Sequence, residues 1–126
     1  MANVHYLKRS HNEAVLKIYS TESSGQTINI PLSDLATDSE TFNANTASVT
    51  IKTIHWSAKK DKQIDLTRIV PEDPSGVHGH YYLLNSGNHE FTGFVDNTYS
   101  EKDLRVISDG PFHIILKLTK ESGYEI

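Results

Sequence analysis

The feature that most restricts this chain is an alternation of apolar and polar residues with a period of two, repeated along most of its length. It is cleanest in Phe112–Thr119, where Phe112, Ile114, Leu116 and Leu118 interleave with His113, Ile115, Lys117 and Thr119. Successive side chains of an extended chain point to opposite sides, so this run gathers four large apolar groups on one face. The pattern recurs in Val4–Arg9 and in Ala14–Tyr19, where Ala14, Leu16 and Ile18 fall together. Ser48–Trp56 is rich in the β-branched residues that a pleated surface favours. Gln63–Val70 sets Ile64, Leu66 and Arg68 on one side and Asp65, Thr67 and Ile69 on the other. Each of these predicts a half-buried strand. Shorter strands are predicted at His80–Leu84, His89–Val95 and Leu104–Ile107. Thr27–Leu32 reads as an edge strand or a strand end, because Pro31 lacks a backbone donor.

Turn residues divide these segments. Lys59-Lys60-Asp61-Lys62 is predicted to join its flanking strands as an antiparallel hairpin. Pro71-Glu72-Asp73-Pro74-Ser75-Gly76, Asn85-Ser86-Gly87-Asn88, Asp96–Glu101 and Asp109-Gly110-Pro111 read as loops or turns. Ser33–Thr41 opens on capping residues but offers only Leu35 and Ala36 to bury, which supports one helical turn or an irregular loop. Eight or nine short strands imply an all-β fold: an antiparallel β-sandwich of jelly-roll type, or a small barrel, as one domain over residues 1–126. A chain of 126 residues buries a core without staples, and with no cysteine it has no disulfides or metal–thiolate sites.

The net charge of −4 is unevenly distributed. Residues 1–63 carry seven Lys/Arg against six Asp/Glu, and residues 64–126 carry five against ten. Such asymmetry can align subunits or oppose a complementary surface. No basic stripe is present to neutralise phosphates, so nucleic acid is not an expected partner. Met1–Tyr6 lacks a basic segment followed by an apolar one, and no run of about 18 apolar residues occurs. Synthesis in the cytosol, with no membrane insertion, is the expectation.

Chemistry-bearing patterns are sparse. His78-Gly79-His80 would point two imidazoles the same way on an extended chain, with His89 or Glu90 as a third ligand. Cupin sandwiches use a related arrangement, but their glycine-rich motifs are missing here, and loop histidines at a hairpin tip are the preferred reading. No metal or cofactor is expected. A Gly-x-Ser-x-Gly turn and a glycine-rich phosphate cradle are also missing, and no carboxylate pair stands out. The chain therefore reads as a non-enzyme. Trp56 reads as a core filler in preference to a sugar-stacking platform, the alternative being Tyr81-Tyr82. Asn3–Arg9 could add to a neighbour's sheet, but an ordinary first strand is the simpler reading.

Taken with these strands, several stretches form a pattern. They are Val4-His5-Tyr6-Leu7-Lys8-Arg9, Ile54-His55-Trp56-Ser57, Arg68 after its alternating strand, and Phe91-Thr92-Gly93-Phe94 after a polar turn. The last is Gly110-Pro111-Phe112-His113-Ile114-Ile115-Leu116-Lys117-Leu118-Thr119-Lys120, leading to Ser122-Gly123-Tyr124. From Val4 to Tyr124 the chain resembles small β-sandwich structural proteins of tailed-phage particles, marine phages especially. The resemblance implies a non-enzymatic virion component, made in the host cytoplasm and assembled in many copies or as a homo-oligomer. Its first form is a capsid decoration (cement) protein bound to the major capsid protein. A neck, tail or baseplate component and a carbohydrate-binding sandwich are the alternatives. The residues expected to make contacts are Val4, Tyr6 and Lys8 at the N-terminus, with Pro71, Pro74, His78 and His80 from the 71–80 segment.

Overall fold

The alternating segments form strands. The computed structural model describes residues 3–74, 76–90 and 98–126, with backbone only at 78–80 and 90. Among these residues the strands are β1 (Asn3–Arg9), β2 (Glu13–Ser20), β3 (Gln26–Ile30), β4 (Thr41–Phe42), β5 (Ser48–Ala58) and β6 (Gln63–Ile69). They continue with β7 (Val77–Leu84), β8 (Ser86–Glu90), β9 (Leu104–Ser108), β10 (Phe112–Ser122) and β11 (Tyr124–Glu125). A 3₁₀ turn at Leu32–Leu35 is the single turn of helix that the capping residues allowed. Phe91-Thr92-Gly93-Phe94 and Val95 lie outside the described residues.

One sheet has the order β1-β2-β10-β5-β8, the other β3-β9-β6-β7, and β11 pairs with β4 in a small third ladder. All pairings are antiparallel. The molecule is thus an all-β sandwich. Its core follows directly from the alternation: Ala14, Leu16 and Ile18 of β2 and Ile114, Leu116 and Leu118 of β10 are fully buried. They belong to one cluster with Ile64 and Leu66 of β6 and Leu104 and Val106 of β9 from the other sheet. Burying a side chain of this size is worth about 1.5–3 kcal/mol, so the two facing layers are the dominant stabilising term.

Two local expectations are corrected. Ser48–Trp56 and Gln63–Val70 do not form a hairpin. Both edges of β5 are occupied, by β10 and β8, and both edges of β6 by β9 and β7. Residues 59–62 instead carry the chain from one layer to the other, with Asp61 at φ 64° and the Lys62 N–H donating to the Lys59 carbonyl. A short charged turn permits either geometry, and the choice is made by distant strands. The segment Asn85–Asn88 is likewise not a turn throughout. Asn85 alone, at φ 58°, makes the corner between sheets, and Ser86 already pairs with Ser57.

Gly123 marks the tightest point of the backbone. It turns β10 into β11 at φ +89°, and a Cβ there would lie 2.3 Å from Ala47 Cα. Gly76 has a similar φ of +78° but nothing within 4 Å of its Cβ direction. Gly76→Ala is therefore expected to cost about 1 kcal/mol of backbone strain, and Gly123→Ala about 2–4 kcal/mol, since strain and overlap combine. Urea denaturation of the two variants measures the difference; equal losses would contradict this packing.

Candidate interaction surface

The inward series of β10 and of β6 both end on a cation. After Phe112, Ile114, Leu116 and Leu118 the next inward position is Lys120, and after Ile64 and Leu66 it is Arg68. Both side chains reach the same end of the sandwich, where loop carbonyls leave the sheets. Lys120 Nζ donates to the Ser10 carbonyl (2.6 Å), the Leu35 carbonyl (2.9 Å) and Glu40 Oε1 (2.6 Å), and lies 4.5 Å from the centre of the Tyr124 ring. Arg68 donates to the carbonyls of Lys102 (2.8 Å) and Val49 (2.7 Å). The Tyr124 hydroxyl donates to the Leu32 carbonyl (2.6 Å), and burial pushes its pKa up.

The Lys120 and Glu40 side chains are both fully buried. Burial alone would raise the Glu40 carboxyl. Hydrogen bonds from Lys120, the Thr37 N–H and His11, with the Lys120 charge, outweigh it and hold the pKa at about 2. These contacts tie the β1–β2 turn, the 3₁₀ turn, the 37–40 segment and the C-terminal strands into one body. The end is rigidly clamped.

The outer face of the five-stranded sheet has a different character. Strand register sets its residues in three rows, Glu90 by its backbone position alone. The first runs Asn3, Tyr19, His113, Ser57, Ser86. The second runs His5, Lys17, Ile115, His55, Asn88. The third runs Lys8, Val15, Lys117, Thr53, Glu90. Ile115 stands in the middle of the face, paired with Lys17 and diagonal to Val15 and Tyr19, all half-buried, and His5, His55 and Lys8 stand exposed around them. The His5 ring stacks on Tyr19 at 5.7 Å, and Lys17 Nζ lies 5.3 Å from the same ring. Burial, with the Lys17 charge, lowers the His113 pKa. Glu13 accepts from Lys8 through one oxygen and from Lys117 through the other, both at 3.1 Å, and these bonds lower its pKa.

No family model, curated protein or solved structure matches this chain. Its surfaces must be read from their own geometry.

The residues expected to make contacts do not form one surface. Lys8 belongs to the outer face just described. Val4 and Tyr6 point inward and pack on the margin of the core, where burial and then Asp34 raise the Tyr6 pKa. Pro71 lines an open cleft of about 370 Å³ at the clamped end, with Leu32, Phe42, Ala47, Ile69 and Lys102. Pro74 is exposed on the same loop. His78 and His80 belong to β7 in the other sheet, and their side chains lie outside the described residues. Trp56 faces inward, half-buried, and its indole N–H donates to the Leu84 carbonyl (3.0 Å). Its ring crosses Gly87, where a Cβ would come within 2.8 Å. Tyr82 is 66% exposed.

Lys17, His55, His113, Ile115 and Lys117 were not singled out from sequence. Alternation assigns each to the polar side of its strand, but their assembly into one face depends on β2, β10 and β5 being neighbours.

The buried pair makes a stability prediction. Lys120→Ala strands a buried carboxylate and is expected to cost about 3–5 kcal/mol. Glu40→Leu combined with Lys120→Met removes both charges and should cost less than either single change. Because the folded pKa of Glu40 lies below its ordinary 4.5, its contribution is complete above pH 4.5 and disappears as the pH falls toward about 2. Urea unfolding at pH 7 and pH 3 tests this: the gap between wild type and the double variant should narrow at pH 3.

Proposed function

We propose that this chain is a non-enzymatic assembly module, a capsid decoration (cement) protein of a tailed-phage particle that docks the outer face of its five-stranded sheet on the coat-protein lattice. The observation that carries this reading is the three-row face. Ile115 stands at its middle with Val15 and Tyr19 on its diagonals, and lysine, histidine and small polar side chains fill the positions between and around them, the mixed apolar and polar make-up of a protein–protein contact.

The strand order supports the same reading. Setting β1 aside, β2-β10-β5-β8 faces β3-β9-β6-β7, and the chain passes between these sheets six times, in two runs of three separated by the β6–β7 step within one sheet. We infer a jelly roll from this order, an architecture used by viral capsid and lectin domains. The sequence resemblance to small virion proteins points the same way.

The mechanism needs only area and rigidity. A pressurised shell loads the seams between coat subunits. A stiff sandwich bridging a seam adds buried surface that must be lost before those subunits separate. Many copies, or an oligomer holding several sites at once, turn modest contacts into a stable lattice through avidity. A neck, tail or baseplate role would use the same face on a different partner.

Particles assembled without the protein are expected to keep their tails and to have heads that rupture at lower temperature or milder osmotic shock. Purified wild-type protein should restore resistance when added back. Ile115→Asp, verified as folded by circular dichroism, should not, because a new charge in the middle of the contact must be desolvated on docking and cancels that of Lys17 beside it. Tailless particles, or heads of unchanged strength, would rule out the decoration role.

A further inference from the structure

We propose that the surface received by this face is acidic: a carboxylate-rich patch of a partner protein. The inference rests on the docking role given to the face above and adds the chemistry of what it meets.

The argument is one of charge concentrated against the sign of the whole molecule. The chain carries a net −4. Yet register brings Lys8, Lys17 and Lys117 onto one side of one sheet, together with His5, His55 and His113. Lys52 stands exposed at the β5 bulge beside them. Two carboxylates with described side chains adjoin this group and offset part of its charge, leaving four lysines against two carboxylates. Glu13 is bonded through both oxygens to Lys8 and Lys117, and Glu121, at the clamped end, accepts from Thr50 (3.0 Å). Glu90 enters by backbone register alone, opposite Thr53. On the other sheet Asp65 and Arg105 share the outward side, and Arg105 donates to Asn29 (2.7 Å). Among the described residues that sheet gathers no comparable excess.

The cations are also held in place. The Tyr19 ring carries His5 on its face and Lys17 beside it, and Lys117 is fixed by Glu13. Preorganised cations lose little freedom on docking.

The test uses full-length protein with fluorescent poly-L-glutamate as the acidic probe and a DNA duplex of matched charge as the competing anion. Binding to poly-L-glutamate is expected at low salt, weakening about tenfold or more between 50 and 300 mM NaCl. Lys17→Gln with Lys117→Gln should weaken it about tenfold, while Lys102→Gln with Arg105→Gln, beside and on the other sheet, should leave it unchanged. Equal losses in both variants, equal or tighter binding of the duplex, or no binding of the probe would overturn the proposal. The two claims separate on particles. If Ile115→Asp abolishes head protection and Lys17→Gln with Lys117→Gln does not, the docking face stands and its acidic partner falls. If neither variant alters protection, the docking face falls, while the probe still decides the charge claim.

Discussion

β10 must satisfy backbone groups along both of its edges, and the rest of the molecule is arranged around that requirement. Eleven residues long, it pairs with β2 on one side and β5 on the other. Its inward side chains supply the centre of the core, and its outward ones, His113, Ile115 and Lys117, supply the middle of each row on the exposed face. A register slip of one residue would exchange these two sets, burying His113 and Lys117 while exposing Phe112, Ile114 and Leu116. Core and surface are therefore one specification. The chemistry offered to a partner is fixed with the same energy that folds the domain.

The end of the sandwich poses a separate problem, because strands leaving the sheets release carbonyls into a region closed off by loops. A buried polar group without a partner costs about 1–3 kcal/mol. Lys120 and Arg68 meet this with donors delivered on the inward faces of two different strands, one from each sheet. A buried cation is itself costly, and Glu40 with the Tyr124 ring offsets that cost for Lys120. A leucine in place of Lys120 would fill space yet leave the Ser10 and Leu35 carbonyls without this donor. The geometry gives each cation a role that an apolar side chain of equal volume would not perform.

Much of this was legible in the alternation. The strands at Ala14–Tyr19, Ser48–Trp56, Gln63–Val70 and Phe112–Thr119 lie within β2, β5, β6 and β10 apart from Val70, which lies just past β6, and the siting of Arg68 with Ile64 and Leu66 already implied a buried cation. What alternation leaves open is which strands become neighbours. The two strands flanking 59–62 look like a hairpin because local cues describe only the turn. Ile114↔Trp56 and Leu66↔Val106, pairings about 40 to 58 residues apart in sequence, decide that the turn crosses between layers. The grouping of residues into one outer face was not legible for the same reason. Val4 and Tyr6 sit on the apolar side of β1, so strand parity turns them toward the core, and the 71–80 segment is carried to the other sheet.

An acidic molecule with a basic face behaves differently at long and short range. Free copies repel one another through their net charge, which opposes indiscriminate aggregation. Beyond about one Debye length, roughly 8 Å in physiological salt, a partner senses little of either charge, and at closer approach it meets whichever face is turned toward it. Only one orientation presents Lys8, Lys17, Lys52 and Lys117 together, so a carboxylate-rich partner is attracted in that pose and repelled in most others. Under the docking role proposed above, orientation of this kind would mainly raise the association rate and suppress wrong registers, while burial of Ile115 and its diagonal neighbours Val15 and Tyr19 would slow departure. On a repeating lattice, many weak, correctly oriented modules would need that division of labour more than a tight individual contact.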